Sequence, residues 1–311
     1  MTSWKAESLS VVVPVFDEEA NAQPLVEGIA NAVRALGIPF EIVVVDDGSR
    51  DRTREILRSL TAGTPELVVV NLRRNFGQTL ALQAGLDRAR GRAIVTMDGD
   101  LQNDPTDIGR LLERLEAGAD VVSGWRKQRK DTLVLRKVPS WIANKLIQVV
   151  TGIAIHDQGC SLKAYRREVI EALDLYGDMH RFIAVMTLPL GAVLEEVEVR
   201  HHPRVAGVSK YGLGRVFRVI VDLFALQMLT RFRESPLLWF GMLGAPFLVG
   251  SLAAALLALT SEESHLVLPT TSVFLAMTFT SSLMFGLLSE LIIETSGHAR
   301  RRRVVSREWH D

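Results

Sequence analysis

Five short runs rich in β-branched residues punctuate the first 125 positions: Ser10–Val15, Glu41–Asp46, Leu67–Asn71, Ala93–Met97 and Val121–Ser123. They are continuously apolar rather than alternating, the pattern of strands buried on both faces. Between them apolar residues recur at helical spacing over Ala22–Leu36, Arg52–Leu60, Gln78–Arg90 and Thr106–Ala117. Asp51 and the pair Asp104–Pro105 read as helix starts. Strand and helix alternating in this way predict a parallel α/β sheet with right-handed crossovers. The pattern then changes. Leu237–Thr260 and Leu266–Ser289 contain no charged residue, and only Ser261–His265 separates them. Each is longer than the ~20 apolar residues that cross a bilayer core, so together they predict a transmembrane hairpin. Pro246 and Pro269 are compatible with that reading, because proline is tolerated in membrane helices and near their ends.

The expected division is an α/β domain over 1–212, an amphipathic juxtamembrane helix over 213–235, two spans over 236–290 and a basic tail over 291–311. In the second of these, Phe217, Ile220, Val221, Phe224 and Met228 fall at helical spacing among Arg215, Arg218, Asp222 and Arg231. That mixture suits the membrane interface, with basic residues near headgroups. Arg231 and Arg233 precede the first span and Arg300–Arg303 follow the second, while the short loop carries Glu262 and Glu263. The positive-inside rule then puts the α/β domain and both termini on the cytosolic side of the cytoplasmic membrane. Met1–Ser8 is polar and the next apolar run stops at Pro14, so the start reads as no signal peptide. Gly241 and Ala245, four apart, would permit close helix packing and a homo-oligomer.

Composition narrows the chemistry. The 311 residues carry 36 Lys+Arg and 36 Asp+Glu, and this zero net charge argues against general nucleic-acid binding. The one cysteine, Cys160, excludes an internal disulfide and a zinc site of paired cysteines. It is expected to pack in the core.

In a parallel α/β sheet ligands bind beyond the carboxyl ends of the strands. Three such ends are acidic here: Pro14-Val15-Phe16-Asp17-Glu18-Glu19, Asp46-Asp47-Gly48-Ser49 and Asp98-Gly99-Asp100-Leu101-Gln102. No strand is followed by GxGxxG, and no GxxxxGK[ST] loop exists, so dinucleotide and P-loop phosphate binding are excluded. A carboxylate-rich crevice repels a bare pyrophosphate, and a divalent cation resolves the conflict. Asp98 and Asp100 can offer oxygens to one hard ion, Mg²⁺ or Mn²⁺, that also bridges phosphates.

The ordered series PVFDEE, VVVDDGS, NFGQTLALQAG, DGDLQNDP, SGWRKQR, DQGCSLKAYRR, HRF and RVAGVSKYG resembles the family 2 glycosyltransferases of the GT-A fold. Within them it is similar to the polyisoprenyl-phosphate glycosyltransferases, the group that includes dolichol-phosphate mannose synthase, from Ser10 to about Leu229. The resemblance implies a UDP- or GDP-sugar donor, a polyisoprenyl phosphate acceptor and inversion at the anomeric carbon. It implies that Pro14, Phe16, Glu18 and Asp46 hold the nucleoside, with Asp47 close by. Asp98, Asp100 and Gln102 would bind the cation and the donor diphosphate. Arg126, Arg136 and Ser140 would receive the acceptor phosphate, aided by Arg204 and Lys210. Asp157 would orient or deprotonate the acceptor, with a structural role as the alternative, and Asp100, Asp157 and Arg126 would form the catalytic set. Gly99 stands where many relatives have alanine, a difference expected to change little. His156 reads as a satisfied loop histidine.

Two readings of other classes compete. A processive polysaccharide synthase would carry QxxRW and many spans, whereas Gln227 and Arg231 are one residue too far apart and Phe232 follows. A non-catalytic nucleotide-sugar-binding module would tolerate a damaged cation motif, yet Asp98, Asp100 and Gln102 are all present.

Overall fold

The computed structural model describes residues 5–127, 155–173, 182–187, 190–203, 235–260 and 266–295. They fall into two compact units, one ending at 203 and one beginning at 235. The expected interfacial stretch lies, but for Ser235, outside the described residues, as does the tail beyond 295.

The first unit runs β1 (Leu9–Val15), α1 (Ala22–Arg34), β2 (Phe40–Asp46), α2 (Thr53–Leu60), β3 (Leu67–Asn71), α3 (Gln78–Arg88) and β4 (Ala93–Thr96). It continues with a 3-10 turn (Pro105–Asp107), α4 (Ile108–Ala117), β5 (Val121–Trp125), β6 (Lys163–Arg166), α5 (Arg167–Glu171), α6 (Ile183–Met186) and β7 (Leu194–Glu198). The helix starts are as the side chains demand. Asp51 Oδ1 takes the Thr53 N–H at 3.0 Å, and Asp104 Oδ1 takes the Thr106 N–H at 3.0 Å with Pro105 behind it. Each carboxylate satisfies a donor that the first helical turn leaves open.

The strands form one seven-stranded sheet in the order β3-β2-β1-β4-β6-β5-β7. The expectation of a parallel sheet holds for β1 through β4 and for β5 against β7. It needs correction at β6, which runs antiparallel to both β4 and β5 and separates them. The sheet is therefore mixed. β6 is four residues long, begins at Lys163 and ends at Arg166, and so lacks the apolar run that marks the other strands. The middle of β1 and β2 is fully buried on both faces, Val11, Val12 and Val13 against Ile42, Val43 and Val44. Removing such side chains from water supplies the main stabilisation, about 1.5–3 kcal/mol for each Val or Ile.

The second unit is a pair of helices, α7 (Pro236–Thr260) and α8 (Val267–Thr295). Both are long and apolar enough to cross a membrane. Their mutual seam is polar and small: Ser251 and Ser272 exchange hydroxyl-to-carbonyl bonds at 2.8 and 2.9 Å, and the Ser282 hydroxyl donates to the Phe240 carbonyl at 2.7 Å. Gly286 lets the backbones approach, since a Cβ there would lie 2.8 Å from Leu237 Cα. Gly241 also faces inward, onto Leu283 of α8. Leucine, phenylalanine and methionine cover the outward faces, with Leu252, Leu256, Phe274 and Met277 all more than 60% exposed. Apolar surface of that extent calls for a partner or a membrane rather than water.

Candidate active site

The loops after β1 and β2 are fastened to each other. Pro14 is tolerated inside β1 because pairing with β4 has ended at Val12↔Thr96, so no ladder bond needs its missing N–H. Beyond it, the Asp17 N–H donates to Ser49 Oγ at 3.0 Å and Asp17 Oδ1 accepts the Arg50 N–H at 2.7 Å, with Asp17 itself at φ 55°. The Glu18 N–H donates to Thr53 Oγ1 at 2.9 Å, and its carboxylate accepts from Asn21 Nδ2 at 2.5 Å. Phe16 and Glu18 are both half-buried at this rim.

Asp46 and Asp47 are buried and busy. Asp46 Oδ1 accepts the Ser49 N–H at 2.9 Å, and Oδ2 pairs with Arg54 Nε at 3.0 Å. The two oxygens of Asp47 accept the Phe76 and Gly77 N–H groups at 2.7 and 2.9 Å. These carboxylates thus shape the crevice by fixing two loops. Gly48, at φ +71°, is required where it stands: a Cβ would fall 2.4 Å from the carbonyl carbon of Arg74.

Past the end of β4, Asp98 is half-buried and Asp100 is 9% exposed. Burial, then the neighbouring Asp100 charge, push the Asp98 carboxyl above its ordinary value, against a Ser161 hydrogen bond and the more distant Arg126 and Lys163 charges. Gln78 Nε2 donates to Asp98 Oδ1 at 2.8 Å. Leu101 adopts φ 60°, a left-handed conformation unusual for its type, which turns the chain sharply after Asp100. The Gln102 N–H returns to Asp100 Oδ1 at 3.2 Å, while its side-chain amide donates to the His202 carbonyl at 3.4 Å. Gly99 changes more than the sequence implied. A Cβ there would lie 2.7 Å from Val15 Cγ1, so alanine requires Val15 to shift.

Two neighbouring carboxylates, one of them raised by burial and by the other's charge, fit a divalent cation. Among the described residues no group of three His, Cys, Asp or Glu side chains converges on one point. An ion held here would complete its shell with phosphate oxygens and water, the habit of Mg²⁺ and of hard ions generally.

The opposite wall is built from β5 and the segment before β6. Arg126 Nε and Nη2 donate to Asp157 Oδ2 and Oδ1 at 2.6 and 2.9 Å, and the Arg126 N–H adds a 3.2 Å bond to Oδ2. Only 10% and 9% of these two side chains is exposed. Burial works against the Arg126 charge, but the Asp157 bonds more than offset it and hold the guanidinium above its ordinary value. Among the described residues Nη1 is left for another acceptor. Lys163, 2% exposed, donates to the carbonyls of Cys160 and Gln158, and burial lowers its ammonium despite the nearby Cys160, Asp157 and Asp98. Cys160 is wholly buried and burial raises its thiol, so it stays protonated and inert.

The structure thus gathers Asp98, Asp100, Gln102, Arg126 and Asp157 at the carboxyl ends of β4 and β5, with Asp46 and Asp47 at the end of β2. Arg136, Ser140, Arg204 and Lys210 lie outside the described residues. Sequence reasoning gave Gln78 and Glu196 no role, and took Ser161 through Arg167 as a cap on the site without assigning Ser161 or Lys163 singly. Glu196 belongs to a strand with no apolar run, and its partners, the His156 and Asp157 N–H groups, are far away in the chain.

Comparison with known proteins identifies the family and the fold. The pattern of Glycosyl transferase family 2 matches residues 10–174. Dodecaprenyl-phosphate galacturonate synthase of Rhizobium johnstonii is 43% identical over 92% of this chain and 88% of that one. Undecaprenyl-phosphate 4-deoxy-4-formamido-L-arabinose transferase of Pseudomonas paraeruginosa is 40% identical over 80% of this chain and 73% of its own. Among solved structures, glucosyl-3-phosphoglycerate synthase of Mycobacterium tuberculosis, in complex with Mn²⁺, UDP and phosphoglyceric acid, superposes with a TM-score of 0.54. It covers 71% of this chain and 78% of that one at 20% identity, which establishes the shared GT-A fold. With its mixed sheet, its acidic strand ends and relatives along nearly its whole length, the chain belongs to glycosyltransferase family 2.

Proposed function

We propose that this glycosyltransferase moves a sugar from a UDP- or GDP-sugar to a polyisoprenyl phosphate at the cytosolic face of a membrane, with one Mg²⁺ or Mn²⁺ and inversion at the anomeric carbon. The observation that carries the reading is the meeting of two unlike centres: the Asp98/Asp100 carboxylates, where burial and the Asp100 charge raise Asp98, and the Arg126 guanidinium, buried against Asp157. The first suits a cation with a diphosphate, the second a phosphate monoester. The activities for which the two relatives are named, both at polyprenyl phosphates, support the same assignment. The two apolar helices give the chain a way to meet such a lipid at the bilayer.

When bound, the cation supplies neutralisation of the charge that builds on the departing diphosphate. Asp98 and Asp100 would hold it, while the bond from Gln78 fixes the Asp98 oxygen and the Gln102 N–H fixes Asp100. Pro14, Phe16, Glu18, Asp46 and Asp47 form or brace the rim assigned to the nucleoside. Arg126, with Arg136, Ser140, Arg204 and Lys210, would hold the lipid phosphate. A phosphate monoester, with a second pKa near ~6, is largely dianionic at neutral pH and attacks without a strong base. Asp157, already bonded to Arg126 through both oxygens, therefore acts as an orienting group rather than a proton acceptor. Alignment is the larger share of the work.

The test is sugar transfer by the purified chain to undecaprenyl phosphate from a panel of UDP- and GDP-sugars, including UDP-galacturonate and UDP-4-deoxy-4-formamido-L-arabinose. A labelled lipid product that vanishes with a chelator is the expected result. Nucleotide binding without a lipid product from any donor would refute the acceptor assignment.

A further inference from the structure

Asp157 does not hold itself in place. It lies in a loop, and among the described residues one carboxylate on β7 accepts the N–H groups of two successive residues of that loop. Glu196 Oε1 accepts the His156 and Asp157 N–H groups at 3.0 and 3.3 Å. Its Oε2 takes the His156 N–H at 3.1 Å and lies 2.8 Å from His156 Nδ1. The His156 ring is then laid on Trp125 of β5, with centroids 4.5 Å apart and planes 24° apart. From the other end Lys163 holds the same loop by its carbonyls, at Gln158 and Cys160. The segment is thus gripped by a carboxylate on its N–H groups and an ammonium on its C=O groups. Both charges match the backbone groups they meet, and Glu196 is only 14% exposed in its side chain.

We propose that Glu196 is the positioning residue for the acceptor side of the site. It sets the Asp157 carboxylate, and through it the Arg126 guanidinium, at the angle that receives the acceptor phosphate. The inference rests on the acceptor role given above to Arg126. In this role Glu196 is a positioning group and not a catalytic one. It acts by holding two N–H groups, so a group that keeps the accepting oxygen keeps the function, and charge alone is not enough. A misplacement of about 1 Å at the guanidinium is sufficient to cost about a hundredfold in turnover.

The experiment compares wild type, Glu196→Ala, Glu196→Gln and Glu196→Asp in full-length protein, with lipid phosphate and nucleotide sugar varied separately. Circular dichroism melts report folding. The Trp125 emission, obtained by difference from the matching Trp125→Phe proteins, reports the stack. Glu196→Ala should lower kcat/KM for the lipid phosphate by about tenfold or more while the KM for the donor stays unchanged. Its Trp125 emission should shift to the red as His156 is released and water reaches the indole. Glu196→Gln, whose amide oxygen still takes both N–H groups, should regain most of the activity and the wild-type spectrum. Glu196→Asp, charged but one methylene short, should behave like alanine, and it replaces alanine if that variant fails to fold. Equal losses toward donor and acceptor, or a lowered melt with unaltered kinetics, would overturn the proposal. A wild type that makes no lipid product would instead refute the transfer reading itself, a result distinguishable from an active wild type with an unaffected Glu196→Ala.

Discussion

The Arg126–Asp157 pair offers the sharpest energetic test of the site. Its two side chains are about nine-tenths buried and joined by two charged bonds at 2.6 and 2.9 Å, with a third from the Arg126 backbone. Asp157→Ala leaves a guanidinium in a poorly hydrated wall whose remaining counter-charges are weaker and farther. Breaking a buried pair from one side costs about 3–5 kcal/mol. For a domain of this size, ~2–4 °C accompanies each kcal/mol, so the melt of the catalytic domain should fall by about 6–20 °C. Arg126→Ala strands the Asp157 charge and should cost a similar amount. The double variant strands neither charge, so its loss should be smaller than the sum by ~1–3 kcal/mol, the coupling typical of groups in direct contact. Thermal melts of the four detergent-solubilised proteins close this cycle. Additive losses, or an Asp157→Ala melt within about 1 °C of wild type, would refute the view that the two residues act as one buried unit. The same Arg126→Ala protein should lose affinity for lipid phosphate before it loses affinity for the donor.

The crowded carboxylates make a paired forecast. Asp98→Asn should abolish transfer, yet raise the melting temperature of cation-free protein at neutral pH, since it removes a like charge from beside Asp100 and keeps an oxygen for Gln78. The sign follows from the raised carboxyl: ionising it costs more in the folded state than the unfolded, so the gain should vanish below the ordinary carboxylate value of ~3.9. For the same reason protons should compete with the cation. Donor-and-cation affinity, followed by calorimetry, should weaken as pH falls through the raised Asp98 value, and a flat profile would contradict the assignment. Gly48→Ala, whose Cβ would strike the Arg74 backbone at a positive φ, should destabilise the catalytic domain by about 1–3 kcal/mol in a denaturant titration. Because Cys160 is buried, a cysteine introduced as Ser264→Cys should be the accessible thiol. In intact cells an impermeant maleimide should label it from outside, and labelling only after lysis would reverse the proposed orientation.

Much of the fold was legible in the sequence, for a definite physical reason. A strand buried on both faces must be apolar throughout, so β1 to β5 announce themselves in Val and Ile, and a membrane-length helix announces itself by the absence of charge. β6 and β7 escape because KAYR and LEEVE satisfy the sheet with few apolar residues, and the reversal at β6 has no local signature. The carboxylates of the site were visible for a related reason: an acidic cluster at a buried strand end has little structural excuse. What the sequence withheld was which oxygens are spent. Asp46 and Asp47 are only an acidic pair as letters, yet both oxygens of each hold a loop or a guanidinium in place, at Ser49, Arg54, Phe76 and Gly77.

The same distinction explains why Gly99 and Glu196 were misjudged or missed. The fit of a residue at 99 depends on Val15, and the value of a carboxylate at 196 depends on the N–H groups of residues 156 and 157. Neither dependence is local, and neither residue has chemistry of its own that its type would advertise. Residues that meet substrate must carry the right functional group, so type and strand position single them out. Residues that aim those groups need only reach a backbone amide, which many side chains can do, so only three-dimensional contact identifies them. If the Glu196 proposal is right, replacing it should damage acceptor use far more than its place on an edge strand implies.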